Sequence, residues 1–180
     1  MKREAVLEAA AAAFVADGYA GTRMETVARE ADVSTATLYG YFKSKPALFA
    51  AVIETEARRF AAPASGGLEA VACGYARLLA DKRVRGIIRL VIAESPRFPE
   101  LSALLFDHGK AQVYSAFAAA FEREAQAGRL ARQSDWAHET GQITGMITQP
   151  ILMTWLFTGR EPEREPEAVA KAAVARFLTK

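Results

Sequence analysis

The sequence predicts an all-α chain of about nine helices, three of them short and crowded into the first third. Three observations point there. Apolar residues recur at helical spacing along the chain, as in Val6, Leu7, Ala10, Ala11 and Phe14. Alternating Val/Ile/Thr runs bounded by Asn-Gly or Asp-Gly turns do not occur. Gly, Pro, Ser and Thr fall where the helical period lapses. At 180 residues, 51% apolar and 24% charged, the chain suits one domain or two small ones with a sizeable core, and a wholly disordered chain is excluded.

The first stripe ends at Gly18, a natural helix stop. Thr22 and Glu25 have the spacing of a capping box and open a short helix, Met24 to Ala31. Asp32-Val33-Ser34 is a three-residue break, and Ser34 caps a second short helix that runs to about Tyr41. Lys43-Ser44-Lys45-Pro46 is the next break. Ser44 or Lys45 caps a longer helix with Pro46 in its first turn and Leu48, Phe49, Val52, Ile53 and Phe60 on its apolar face. The small residues, Pro and Gly-Gly of 61–67 mark the clearest boundary in the chain. Beyond it, Leu68–Ala80 carries Leu68, Val71, Ala72, Tyr75 and Leu79 on one side. Val84–Ala93 is apolar nearly all round, which predicts burial. Ser95–Pro99 is a turn; a long helix with Leu101, Leu104, Leu105, Tyr114, Phe117 and Phe121 follows and ends at Gly128. Asp135–Phe157, kinked at Pro150, and Pro166–Leu178 complete the set. The expected division is 1–45, a connecting helix 46–61, and 62–180.

Composition narrows the function. Twenty-three Lys and Arg against 21 Asp and Glu leave a net charge of +2, and residues 1–60 carry eight of each sign. Bulk charge therefore gives no nucleic-acid signal, and only local placement can. Cys73 is the only cysteine, so no intrachain disulfide forms; it reads as a buried small apolar residue in a reducing compartment. Met1-Lys2-Arg3-Glu4 leads into an alanine-rich stretch without the apolar core of a signal peptide. Gly145, Gln149 and Pro150 interrupt the most apolar run, Ile143 to Phe157, which falls short of a membrane span. A cytoplasmic protein with no membrane partner is expected. His108 and His138 lack Cys or carboxylate neighbours at ligand spacing, so neither metal nor cofactor is expected. No Gly-rich phosphate loop, nucleophile elbow or paired-acid motif occurs, so there are no catalytic residues and no enzyme is expected.

The two short helices joined by a three-residue turn, after a supporting helix, form a helix-turn-helix pattern. Val27, Ala28 and Ala31 face Val33, Leu38 and Phe42, which leaves Thr35, Ala36, Thr37, Tyr39, Gly40 and Tyr41 on the outer side. The first residues of such a second helix reach base edges in the major groove.

Residues 3–53 resemble the DNA-binding domain of the tetracycline-repressor family of bacterial regulators. The resemblance rests on an ordered series: Ala9-Ala10, Phe14, Asp17-Gly18-Tyr19, Thr22, Val27 to Ala31, Val33-Ser34, Thr37-Leu38-Tyr39, Tyr41-Phe42, Ser44-Lys45, Leu48-Phe49 and Val52-Ile53. It implies DNA contacts from Thr22, Ser34, Thr35, Ala36, Thr37, Tyr39, Gly40, Tyr41, Lys43 and Lys45. Thr37 is the candidate for a thymine methyl. Tyr39 and Tyr41 would offer hydroxyls to phosphates, and Lys45 would meet one beside the start of its helix. Two departures stand out. Asp32 replaces the usual turn glycine and must take positive φ. Thr35-Ala36 replaces the commoner Lys-Gly, which removes a cation.

The resemblance further implies a homodimer through the last two helices, which carry Met146, Met153, Trp155, Leu156 and Phe157. Such a dimer sets two recognition helices about 34–36 Å apart on a near-palindromic operator. A small apolar effector would enter residues 68–158, with Tyr75, Leu79, Leu90, Phe106, Tyr114, Phe117 and Trp155 as candidate walls. Its binding would shift helix 4 and release a repressed operator. Two other classes stay open: an all-α ligand-binding or interaction protein whose helix-turn-helix is non-functional, and an α-helical enzyme for which no residue constellation speaks.

Overall fold

The computed structural model describes residues 2–60, 66–131 and 135–178, with the side chains of residues 59 and 60 left aside. Residues 61–65 of the predicted boundary and the side chain of Phe60 lie outside the described residues. Among the described residues every regular element is helical: α1 Lys2–Gly21, α2 Met24–Glu30, α3 Thr35–Tyr41, α4 Lys45–Phe60, α5 Leu68–Ala80, α6 Lys82–Glu94, α7 Glu100–Leu105, α8 Ala111–Gln126, α9 Ala137–Thr148, α10 Thr154–Thr158 and α11 Pro166–Val174. A π turn, Phe106–Lys110, joins α7 to α8, and a second, Gln149–Met153, joins α9 to α10. Counting each π turn with the helices it joins gives nine helical rods, as the periodicity predicts. The second π turn begins at Gln149-Pro150. The helix widens there because the proline supplies no N–H to the ladder.

The chain forms two compact units, each discontinuous in sequence. The first comprises residues 1–56 and 82–109, the second 57–81 and 110–180. The sequence division differs: it places 82–109 with the C-terminal part. Spacing along a chain does not disclose that α6 returns to pack on α1.

In the first unit, α1, α2, α3 and the first half of α4 close over Phe14, Val27, Leu38, Leu48 and Phe49, each fully buried. Phe14 meets Phe49 edge-on at 4.9 Å, and both rings contact Tyr19. α6 runs in the same sense as α1 and is fixed to it at three levels. Near the start, Arg83 pairs with Glu8 of α1 at 2.6 Å and Glu56 of α4 at 3.3 Å. Midway, a Cβ on Gly86 would lie 2.8 Å from Val15 Cγ1. At the end, Glu94 reaches the main chain of Tyr19 and Ala20. α6 buries one face, Val84 to Ile87 with Leu90 and Val91, while Ile92 is 58% exposed. The expected all-round burial is therefore corrected: the apolar run covers one side and its end faces solvent. The first π turn holds Gly109 against Ile53 and sets His108 Nδ1 3.1 Å from Glu54 Oε1 on α4.

In the second unit, α5 packs against α11, α8 and α9. Phe121 stacks on Trp136 at 5.4 Å, and Phe177 meets Phe121 edge-on. Glu124, almost fully buried, accepts the Leu68 amide at 2.9 Å at the start of α5 and pairs with Arg129. Burial alone would raise its pKa, but the Arg129 guanidinium and the Leu68 amide outweigh burial and hold the carboxyl below its usual range.

Two outcomes follow. Gly86→Ala destabilises the protein by about 1–3 kcal/mol through overpacking against Val15, and adding Val15→Ala restores most of the loss in thermal unfolding. A depressed carboxylate stabilises the fold above its unfolded pKa and loses that contribution as pH falls through the folded pKa. Glu124→Gln therefore costs about 2 kcal/mol near neutral pH, and denaturant titrations show this gap closing as pH falls from about 5 toward 3.

Candidate nucleic-acid interface

The helix-turn-helix is built from local signals. Ala31 N donates to Val27 O at 2.9 Å to close α2, and the chain turns through Asp32 at φ 52. Aspartate tolerates the left-handed region better than most residues, so the turn forms without glycine. Ser34 then caps α3: its Oγ accepts the Thr37 amide at 3.1 Å and lies 2.8 Å from Thr37 Oγ1. Leu38, fully buried, anchors the inner side of α3 against α2. The outer side presents Thr35, Ala36, Tyr39, Gly40 and Tyr41, with Thr37 half-buried. Tyr39 and Tyr41 are 39% and 44% exposed. Lys43 follows, exposed, just beyond the helix end.

α3 itself bears no charge. Cations stand around it: Lys43 beyond its C-terminus, and Arg3, whose guanidinium lies over the Phe42 ring at 5.3 Å. Nothing local in the sequence links Arg3 to Phe42.

Two predicted contact residues turn inward. Thr22 is 2% exposed, and its hydroxyl donates to Gly18 O at 2.7 Å. The N-cap of α2 is Arg23, with no side-chain capping bond, so the expected capping box does not form and the Thr22 hydroxyl is withdrawn from the surface. Lys45 opens α4, but its Nζ points to main-chain carbonyls: Tyr19 O at 2.8 Å, Thr22 O at 3.1 Å and Ala20 O at 3.4 Å. An ammonium has three protons, and each has a carbonyl here. The same Nζ lies 4.7 Å from the centre of the Tyr19 ring. Burial lowers the Lys45 pKa, and the Glu94 charge works against that shift. Lys45, expected to meet a phosphate, makes these internal bonds in the unbound chain. Ser44, not Lys45, caps α4, accepting the Ala47 amide at 3.3 Å.

The candidate effector walls are divided between the two units. Leu90 lies in the core of the first unit, and Phe106, in the same unit, is 56% exposed. In the second unit, Tyr75 and Phe117 come together edge-on at 5.7 Å, and the Tyr75 hydroxyl lies 2.8 Å from Thr148 Oγ1. Phe117 and Leu79 are buried, while Tyr114 and Trp155 are half-buried. Burial pushes the Tyr75 hydroxyl pKa up, so it stays protonated. Among the described residues no group of three or more His, Cys, Asp or Glu is placed to hold a metal ion, and no helix is long and apolar enough to cross a membrane.

Family comparison agrees with this geometry. The profile of bacterial regulatory proteins of the tetR family matches residues 6–52, and that of the AefR-like transcriptional repressor C-terminal domain matches residues 66–180. The HTH-type transcriptional regulator RutR of Escherichia coli (strain K12) is 38% identical over 103 residues, 57% of this chain. That match spans 45% of the relative, so the chain covers under half of its length. The flavonoid-responsive regulator FrrA superposes with a TM-score of 0.69 at 28% identity, covering 98% of this chain and 94% of that one. A TetR transcriptional regulator from Agrobacterium tumefaciens superposes with a TM-score of 0.82 at 25% identity, covering 98% and 92%. These proteins are transcription regulators, not enzymes.

Proposed function

Because the chain belongs to the tetR family of bacterial regulatory proteins, we propose that it is a cytoplasmic homodimeric repressor that binds a near-palindromic operator and is released from it by a small effector. The observation that carries this reading is the outer side of α3. A capped, well-anchored helix there shows only small and hydroxyl-bearing side chains, with Lys43 beside it. Thr35, Ala36 and Gly40 allow close approach to a groove. Thr37 offers a methyl to a thymine, and Tyr39 and Tyr41 offer hydroxyls to phosphates. Ser34, Lys43 and Arg3 add polar contacts at the two ends of the helix. Thr22 and Lys45 serve this surface from within.

The second copy docks on the last two helical rods. Met146 and Phe157 are 43% and 81% exposed on α9 and α10, and an open groove of about 550 Å³ runs between Met146 and α11, lined by Pro150, Thr154, Val169 and Ala173. An aromatic residue so exposed at the end of a finished core suits a partner surface. The effector is a small, mainly apolar molecule held near Tyr75, Leu79, Tyr114, Phe117 and Trp155, whose binding favours the state in which the two α3 helices no longer match the operator. The flavonoid response named for FrrA makes flavonoids the first compounds to try.

Selection of genomic fragments by the purified chain tests the reading. The wild type enriches a near-palindromic site with half-sites about one helical turn apart, and a Tyr39→Ala/Tyr41→Ala variant does not. Failure of the folded, dimeric wild type to enrich any sequence, with and without added flavonoids, contradicts it.

A further inference from the structure

The turn from α1 into α2 is gripped on both faces by charges of opposite sign. Gly18 leaves helical geometry at φ 75, ψ 171, and the next two amides meet a carboxylate from α6. Glu94 Oε1 accepts from Tyr19 N at 2.7 Å, and Oε2 accepts from Ala20 N at 3.1 Å. The approach is so close that a Cβ on Gly18 would lie 2.5 Å from Oε1. The carbonyls of the same turn point to Lys45, whose ammonium holds those of Tyr19, Ala20 and Thr22. The Lys45 ammonium also lies 4.7 Å from the centre of the Tyr19 ring, which is buried against Phe14, Phe49 and Phe98. Charge-assisted hydrogen bonds to main chain are about twice as strong as neutral ones, and burial strengthens them further.

The grip bears on α3. α2 begins at Met24, directly after the held segment, and packs on α3 through Val27, Ala28 and Leu38. The place of the turn therefore sets where α2 starts and, through α2, how α3 stands on α1 and α4. Glu94 is the last residue of α6, and Lys45 the first of α4. Neither belongs to the exposed row of α3.

We propose that Glu94 and Lys45 are a positioning pair for operator binding: together they hold the α1–α2 turn and so set the affinity of the α3 face, and neither touches a phosphate. The proposal rests on the regulator reading above. It separates Lys45 from Lys43, the cation that remains at the surface. A residue that neutralises a phosphate adds to the salt dependence of binding, about 0.9 per contact, whereas a residue that only positions the reading helix changes affinity at every salt concentration alike.

The test uses the full chain and the operator fragment recovered by the wild type. Dissociation constants are measured over a series of KCl concentrations for wild type, Lys45→Met, Glu94→Gln and the double variant, well below their unfolding temperatures. Each single variant is expected to weaken binding about tenfold or more, the loss of a charge-assisted hydrogen bond. The slope of log Kd against log salt stays at the wild-type value, and the double variant is no weaker than the worse single one, because both act on one turn. A slope reduced by about two in Lys45→Met, one phosphate contact from each protomer, overturns the proposal, as do single effects that simply add. If Lys45→Met does not form a folded dimer, Lys45→Arg replaces it. Arg keeps the charge but not the compact three-proton head. Weakened binding at unchanged slope supports the proposal, and wild-type affinity overturns it. A wild type that recovers no operator overturns the regulator reading and this proposal with it. An intact wild-type complex with a shallower slope in Lys45→Met overturns the proposal alone.

Discussion

Two amides and three carbonyls of a single turn, residues 19–22, are held by side chains that lie far away in sequence: Lys45 is 26 residues from Tyr19 and Glu94 is 75. Main-chain groups near a helix end must find partners, and water supplies them wherever the chain does not. Here the protein supplies them with full charges. The arrangement dictates several other residues. Gly18 is glycine because its φ is positive and because Glu94 stands where a Cβ would be. Tyr19 is aromatic because its ring fills the space beneath the ammonium. Thr22 turns its hydroxyl inward, which completes the helix end through Gly18 O.

The rest of the first unit extends the same fixation. α6 lies along α1 with an ion pair at the start, a glycine contact in the middle and the Glu94 carboxylate at the end. Such spacing allows little sliding, because each level fixes the register of the next. α4 is tied to the same frame by Lys45 at its start and, further along, by Glu54 to His108 and Glu56 to Arg83. In the proposed function, short side chains such as Thr37 meet base edges only if α3 sits within a fraction of an ångström of its groove, and a stiff support of this kind suits that need.

Much of this was legible in the sequence, and the limits have a common physical cause. The helices follow from the spacing of apolar residues. The cap at Ser34, the positive φ at Asp32, the stop at Gly128 and the outward tyrosines of α3 follow from rules that act within four or five residues. What local rules do not disclose is the partner of a side chain that has more than one plausible choice. Thr22 has capping-box spacing, yet a carbonyl four residues back takes its hydroxyl instead. Lys45 stands where a phosphate contact is expected, yet three carbonyls surround it. Glu94 carries no local signal at all, because its role depends on α6 returning to α1. The same return groups residues 82–109 with the first unit, so Leu90 belongs to one unit and Tyr75 and Phe117 to the other. The π turn at Phe106–Lys110 has no Pro to announce it; the one at Gln149–Met153 does.

The central claim is that the Glu94 carboxylate holds the α1–α2 turn in the free protein. Residue-resolved hydrogen exchange of the Tyr19 and Ala20 amides tests it most directly. In the wild type both amides should exchange as slowly as the buried helical amides around Leu48 and Phe49. In Glu94→Ala they should exchange orders of magnitude faster while the α4 core stays protected. Fast exchange of both amides in the wild type, or equal protection in Glu94→Ala, would contradict the account.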